Sequence, residues 1–200
     1  VKSESDSPNQ KVELRRLLLQ QRQAITTEDW RAKSDRLCLQ IQAASLFAKS
    51  QTILAYFSFR QEPDLMPLIN QASDRVWGFP RCVGKSLFWH AWSATSNLPL
   101  QSGAYGIKEP HPDCPALEPE QVDLILVPAV ACDRQGYRLG YGGGFYDRLL
   151  SDPAWATKPT IGIVFEFAHL PNLPVDAWDQ PLSAVCTEAS LFEVPEMPEV

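Results

Sequence analysis

No CxxC pair occurs anywhere in this chain of 200 residues. Its five cysteines, Cys38, Cys82, Cys114, Cys132 and Cys186, are odd in number and widely spaced. The three histidines, His90, His111 and His169, sit near no candidate ligand cluster. These absences exclude a disulfide scaffold and a structural zinc site. The opening VKSESDSPNQ lacks an apolar signal core, and no apolar run approaches membrane-spanning length. The expectation is a reducing, cytoplasmic compartment with no membrane partner, or an organelle if a transit peptide has been removed. Basic residues are too few for a general nucleic-acid binder, since the formal net charge is -6. No internal repeat is present.

What is present suits a single folded unit. Hydrophobic residues make up 44%, enough for a substantial core. One domain is expected over residues 1–190, working as a monomer, with 191–200 a fraying acidic tail that contains proline. Charge is unevenly placed. Up to Lys49 there are nine basic and six acidic residues; beyond it there are nine and eighteen. A basic first helix could bring positive charge to an anionic ligand, although a solvated face is the simpler reading of charge alone.

Ser7-Pro8 signals a helix start, and the helix should run to about Gln23. Leu14, Leu17 and Leu18 give it an apolar face, while Lys11, Arg15 and Arg22 share another. Thr26 and Asp29 resemble a capping box before a second helix with Trp30, Leu37, Ile41, Ala44 and Ala48 on one stripe. Strands are expected at Thr52–Phe59, Val76–Phe79, Leu87–Trp92, Asp123–Val127, Thr160–Phe165 and Ala184–Thr187, with a short helix at Asp64–Ala72. Residues 97–120 read as a long surface connection. The unbroken run Asp123–Val127 suits a strand buried on both faces. Strands alternating with helices predict an α/β class, a three-layer α/β/α domain around a largely parallel, mixed sheet.

Half of the ten glycines fall between Gly136 and Gly144, within DRQGYRLGYGGGFYDRLL. A glycine-rich loop joining a buried strand to a helix lies where α/β sheets bind ligands. Free N–H groups at a helix start favour phosphate, and Arg138, read as loop-borne and dispensable for the fold, adds a charged donor. Gly143 is expected to need positive φ. No Lys-Ser/Thr pair follows, so this is not a Walker A loop; Phe145 stands where a dinucleotide fingerprint has its third glycine. Asp147 beside a phosphate site implies either an intervening Mg²⁺ or a carboxylate stabilised by the helix dipole. Cys132 has no base nearby and is not a nucleophile. Trp77, Trp89 and Trp92 read as packing residues.

The segment DLILVPAVACDRQGYRLGYGGGFYDRLL resembles the signature of the 5-formyltetrahydrofolate cyclo-ligases. KVELRRLLL, AYFSFRQEPDL, YGIKEP and LPVDAWDQPLSAVCTE extend the resemblance, in order, over about residues 11 to 188. The resemblance implies a single α/β/α domain that converts 5-formyltetrahydrofolate and ATP into 5,10-methenyltetrahydrofolate, ADP and phosphate with Mg²⁺. The activated species is a phosphorylated formyl group. It implies that Lys11 and Arg15 meet ATP phosphates and that ATP lies along Arg138, Leu139, Gly140, Tyr141, Gly142, Gly143, Gly144, Phe145 and Tyr146. Lys11, Arg15 and Arg138 then stabilise the moving phosphate charge. Mg²⁺ falls to Asp147 and Asp179. Folate falls to Phe57, Glu62, Tyr105 and Tyr141 to Phe145. Simpler readings stand beside two of these: Glu62 as a strand-end surface carboxylate, and Asp179 as a solvated loop carboxylate. The competing functions are a phosphosugar isomerase or CoA-transferase-like enzyme, and a folate- or nucleotide-binding module without catalysis.

Overall fold

The run Leu124–Pro128 forms the middle of a sheet because its side chains divide between two apolar layers. Leu124 and Leu126 pack into one core cluster, and Ile125 and Val127 into the other, all without solvent exposure. The structure, a computed structural model, describes residues 7–195. Its helices are α1 (Ser7–Gln23), α2 (Thr27–Ala43), α3 (Ser45–Lys49), α4 (Met66–Gln71), α5 (Phe145–Ser151) and α6 (Pro153–Ala156). Its strands are β1 (Thr52–Leu54), β2 (Val76–Val83), β3 (Ser86–Ala91), β4 (Gln101–Ser102), β5 (Lys108–Glu109), β6 (Leu124–Pro128), β7 (Ala131–Asp133), β8 (Arg138–Leu139), β9 (Thr160–Ile163), β10 (His169–Leu170), β11 (Ala184–Cys186) and β12 (Leu191–Glu193).

The central sheet has the order β12-β11-β9-β6-β1-β2-β3. Its inner strands run parallel, and β3 and β12 close the two edges antiparallel. Leu37 and Ile41 of α2, Phe47 of α3 and Leu68 of α4 cover one face; Leu18 of α1, Leu149 and Leu150 of α5 and Trp155 of α6 cover the other. The fold is thus the expected mixed, mostly parallel sheet with helices on both sides. Thr26 caps α2 as expected, its hydroxyl accepting the Asp29 N–H at 3.1 Å. On β2, Gly78 leaves room for a neighbour: a Cβ there would stand 2.4 Å from the Leu54 side chain.

Topology locates the ligand crevice. From β1 the chain crosses to β2 on one side, then returns to β6 on the other and moves outward to β9 and β11. The strand order therefore reverses between β1 and β6, and ligands bind outside the carboxyl ends at such a point.

Several elements differ from their sequence expectation. The strand expected over Thr52–Phe59 ends at Leu54. Ala55 N–H still reaches Gly78 O at 2.8 Å, but the chain then leaves the sheet for the crevice. The stripe holds to Ala44, buried with Leu37 and Ile41, but not to Ala48, because a new helix, α3, starts at Ser45 and buries Phe47 instead. Residues 97–120 are more than surface: they form the β4–β5 hairpin and bury Glu109, Cys114 and Leu117. The tail was expected from residue 191, yet Leu191–Glu193 pairs with Ala184–Cys186 as an edge strand. Residues 196–200 of that tail, and the Ser7 and Pro8 side chains at the expected cap, lie outside the described residues.

Candidate active site at the sheet switch point

Helix α1 crosses the carboxyl ends of the strands with a cationic stripe facing in. Lys11, Arg15, Leu18 and Arg22 recur at intervals of four, three and four, which keeps them on one helical face. Leu18 and Arg22 are 4% and 3% exposed, whereas Leu17 is 55% exposed. The expectation that leucines and basic residues occupy separate faces is therefore corrected. The partner surface is a set of loops rich in carbonyls and carboxylates, and it demands donors.

Each cation has defined acceptors. Lys11 Nζ donates to Asp176 and Asp179, both at 2.6 Å. Burial opposes the Lys11 charge, but the hydrogen bonds and charges of these carboxylates outweigh it and raise its pKa. Arg15 Nε donates to Gly140 O at 2.7 Å. Arg15 makes no salt bridge among the described residues, and burial lowers its pKa. Arg22 donates to Arg60 O at 3.1 Å, to Ala129 O at 3.3 Å and to the Tyr141 hydroxyl.

The glycine-rich loop does not follow β6 directly, as the sequence suggested. A β7–β8 hairpin intervenes and pairs with β10. Its turn is fixed by Asp133, 1% exposed, whose carboxylate accepts the N–H groups of Gln135, Tyr137 and Leu173 at 2.9–3.0 Å. Asp133 thereby ties the loop bearing Arg138 to the segment bearing Asp176 and Asp179; sequence reasoning passed over it. Arg138 itself is on β8 and buried, not loop-borne. Its Nη2 donates to Asp147 at 2.6 Å, and its guanidinium lies 5.8 Å from the Tyr146 ring centroid.

Gly142 and Gly144 take positive φ, +97° and +65°, and Gly144 caps α5. Gly143 does not; its constraint is steric, since a Cβ would stand 2.9 Å from the Phe145 ring. Around Gly140 a Cβ would meet nothing within 4 Å. The buried Tyr146 hydroxyl has no hydrogen-bond partner among the described residues.

Beside this loop lies Glu62, buried at 3% exposure rather than a surface carboxylate. Burial pushes its pKa up to about 7, and the Arg22 charge, the Phe59 N–H and the Tyr141 hydroxyl keep it from rising further. Tyr105, exposed on the β4–β5 hairpin, meets Phe145 edge-on with ring centroids 5.9 Å apart. Phe57 is not brought to the loop by any ring contact; it stacks on Phe79 at 4.2 Å. Phe59, two residues on and unremarked in the sequence, approaches Tyr141 at 6.2 Å.

Asp147 and Asp179 each hold a cation, Arg138 and Lys11 respectively. Arg138 also reaches Gln180 O at 3.5 Å, so these groups form one continuous patch. Among the described residues no cluster of three acidic, histidine or cysteine side chains forms a preformed metal cage. Mg²⁺ needs none, since it takes one or two carboxylates together with phosphates and water. The donors therefore fit a nucleotide-bound Mg²⁺.

A doubly wound α/β sheet with a cationic helix over a glycine-rich loop at its switch point defines an enzyme of anionic substrates. The chain belongs to the 5-formyltetrahydrofolate cyclo-ligase family, whose model matches residues 7–188. It is similar to the 5-formyltetrahydrofolate cyclo-ligase of Escherichia coli (strain K12), 32% identical over 88% of this chain and 100% of that one. The cyclo-ligase of Mycolicibacterium smegmatis is 32% identical over 90% and 95%. The NMR structure of Aquifex aeolicus 5,10-methenyltetrahydrofolate synthetase superposes with a TM-score of 0.82, at 32% identity and 95% coverage of both chains. Family and relatives indicate 5-formyltetrahydrofolate cyclo-ligase activity, and the chain is an enzyme of the ligase class. The phosphosugar, CoA-transferase and non-catalytic readings give way to this finding. No helix among the described residues is long and apolar enough to cross a membrane.

Proposed function

We propose that the chain closes 5-formyltetrahydrofolate to 5,10-methenyltetrahydrofolate at the expense of ATP, with Mg²⁺, releasing ADP and phosphate. The observation that carries this reading is the convergence of Lys11, Arg15 and Arg138 around the Gly140–Gly144 loop. A formamide is a poor electrophile, and its oxygen a poor leaving group. Transfer of the γ-phosphoryl group to the formyl oxygen cures both: the P–O bond to ADP breaks, a P–O bond to the formyl oxygen forms, and the formyl carbon becomes an electrophile that carries a phosphate leaving group. N10 then attacks that carbon and gives up its proton, the five-membered ring closes, and the C–O bond to phosphate breaks as phosphate departs. Such transfer is catalysed chiefly by positioning and charge stabilisation.

Lys11, Arg15 and Arg138 hold the phosphate oxygens. Lys11 and Arg138 are already oriented by Asp179 and Asp147, so phosphate replaces a carboxylate as acceptor and little reorganisation is needed. Bound Mg²⁺ would neutralise phosphate charge from those two aspartates. The Glu62 carboxylate accepts pterin N–H groups, and Tyr105, Tyr141 and Phe145 offer aromatic edges and faces to the folate. Work in the cytoplasm as a monomer accords with this reading. The test is the absorbance of the methenyl product with ATP and Mg²⁺, with either omitted, and with neither. Turnover without ATP would sink the phosphoryl-transfer route.

A further inference from the structure

Arg22 has no role in the scheme above, yet it is the most enclosed cation of α1, at 3% exposure. Its guanidinium reaches three loops at once. Nε meets Arg60 O on the segment after β1, Nη1 meets Ala129 O after β6, and Nη2 meets the Tyr141 hydroxyl on the glycine loop. The first two segments flank the switch point.

Arg22 and Glu62 are both buried, and neither forms a salt bridge among the described residues. Tyr141 stands between them. An arginine N–H can only donate, so the phenol oxygen accepts from Arg22, which leaves the Tyr141 hydrogen available to the neighbouring Glu62 carboxylate. The backbone repeats the arrangement. Arg60 and Gln61 take φ of 47° and 56°, left-handed conformations that L residues adopt at a cost. That turn closes through Glu62 N–H to Phe59 O at 3.0 Å. Arg22 holds its Arg60 carbonyl, Gln61 Nε2 donates to Ile25 O at 3.2 Å, and Trp30 Nε1 donates to Glu62 O at 2.9 Å.

We propose that Arg22 is a positioning residue for the folate side of the site: through Tyr141 and the Arg60–Gln61 turn it presents Glu62 to the pterin as an accepting carboxylate. This rests on the folate reading of Glu62 given above. The titratable groups facing Glu62 are Arg22 from α1, Tyr141 from the glycine loop, Tyr146 from α5 and Tyr56 on its own segment. Arg22 is the one that carries charge at neutral pH. Without it Glu62 holds its proton to higher pH, and a protonated carboxyl loses acceptor capacity toward the pterin.

The test uses the full chain as wild type, Arg22→Met, Arg22→Lys and Glu62→Gln. The Glu62 carboxyl band is followed by infrared spectroscopy against pH and assigned by its loss in Glu62→Gln. In Arg22→Met the titration moves up by about one pH unit. At pH 7 the ionised fraction of Glu62 falls from about one half to about one eleventh, so the KM for 5-formyltetrahydrofolate rises about five- to sixfold, while that for ATP stays within about twofold. Arg22→Lys keeps the charge and much of the titration. It still raises the folate KM, because one ammonium cannot span three acceptors as the planar fork does. A folded Arg22→Met with the wild-type Glu62 titration overturns the proposal. So does a folded Arg22→Lys with the wild-type folate KM, which also decides the matter if Arg22→Met does not fold. Absence of turnover in the wild type refutes the cyclo-ligase reading instead, while the infrared titration still reports whether Arg22 sets the state of Glu62.

Discussion

Replacing Arg138 by alanine is expected to damage stability and ATP use together. The Arg138 side chain is 4% exposed and donates to Asp147 at 2.6 Å. Losing one charge-assisted hydrogen bond costs about 1.5–3 kcal/mol. Breaking a fully buried pair costs about 3–5 kcal/mol, because the remaining charge is stranded. Asp147 is 28% exposed, so water can reach the stranded carboxylate, and the lower range applies. A loss of about 2–3 kcal/mol lowers the melting temperature of a chain this size by roughly 4–12 °C. The same guanidinium, if it meets phosphate, contributes about 1.5–3 kcal/mol there, so kcat/KM for ATP falls about 10- to 150-fold. Thermal melts and methenyl absorbance read the two effects separately. An unchanged melting temperature would refute the buried-pair argument; unchanged kinetic constants for ATP would refute the phosphate role.

Asp147→Asn keeps an acceptor for Arg138 but leaves its buried charge without a counter-charge, so it should cost about 3 kcal/mol of stability while raising the Mg²⁺ concentration needed for turnover; identical Mg²⁺ curves would make Asp147 a structural partner alone. Glu62 has its pKa raised by burial from 4.5 to about 7, so the folded state binds its proton more tightly. That contributes on the order of 3 kcal/mol of stability below pH 4.5, lost as pH rises through 7. Urea midpoints of wild type minus Glu62→Gln should therefore fall across that window, and a flat difference would contradict the burial of an ionisable Glu62. Gly140→Ala should leave stability within about 0.5 kcal/mol, since its Cβ meets no protein atom within 4 Å, yet impair ATP use if phosphate approaches that backbone; full activity would place the nucleotide elsewhere.

The sheet was legible where burial is two-sided. The strands expected at Asp123–Val127 and Thr160–Phe165 appear as Leu124–Pro128 and Thr160–Ile163, whose largely apolar sequences reflect coverage on both faces. The β12 edge was not legible, because Leu191–Glu193 is too short for a period to show. The site was legible in its glycines and cations, which carry chemical identity in the sequence. What escaped were contacts that depend on tertiary placement. Arg22 shares the spacing of Lys11 and Arg15, but nothing local says that its helix face turns inward. The turn at Arg60 and Gln61 has no glycine to announce its left-handed backbone. Phe57 and Phe59 point alike in a period-two pattern, and the chain leaves strand geometry before either, so periodicity cannot assign their neighbours. Gly143 looked equivalent to its neighbours, though only Gly142 and Gly144 of that triplet take positive φ.

The placement of α1 binds folding to chemistry. Among its described residues Leu18 is the one in the buried core cluster, with Leu14 and Leu19 partly packed, while Val12 and Leu17 are 60% and 55% exposed. One buried leucine contributes about 1.5–3 kcal/mol. The six hydrogen bonds from Lys11, Arg15 and Arg22 to the loops therefore rival or exceed the apolar contribution to docking. The uneven charge of the chain acquires a physical sense here: the basic first segment lies over acceptors drawn from the acidic remainder. Two of the groups that seat the helix, Lys11 and Arg15, are also proposed to meet phosphate, and the third, Arg22, to position the folate-facing Glu62. A ligand bringing acceptors to Lys11 and Arg15 binds only where α1 is docked, so it stabilises the docked helix by mass action. Ligand affinity and α1 order are then two readings of one equilibrium, coupled through the same three side chains.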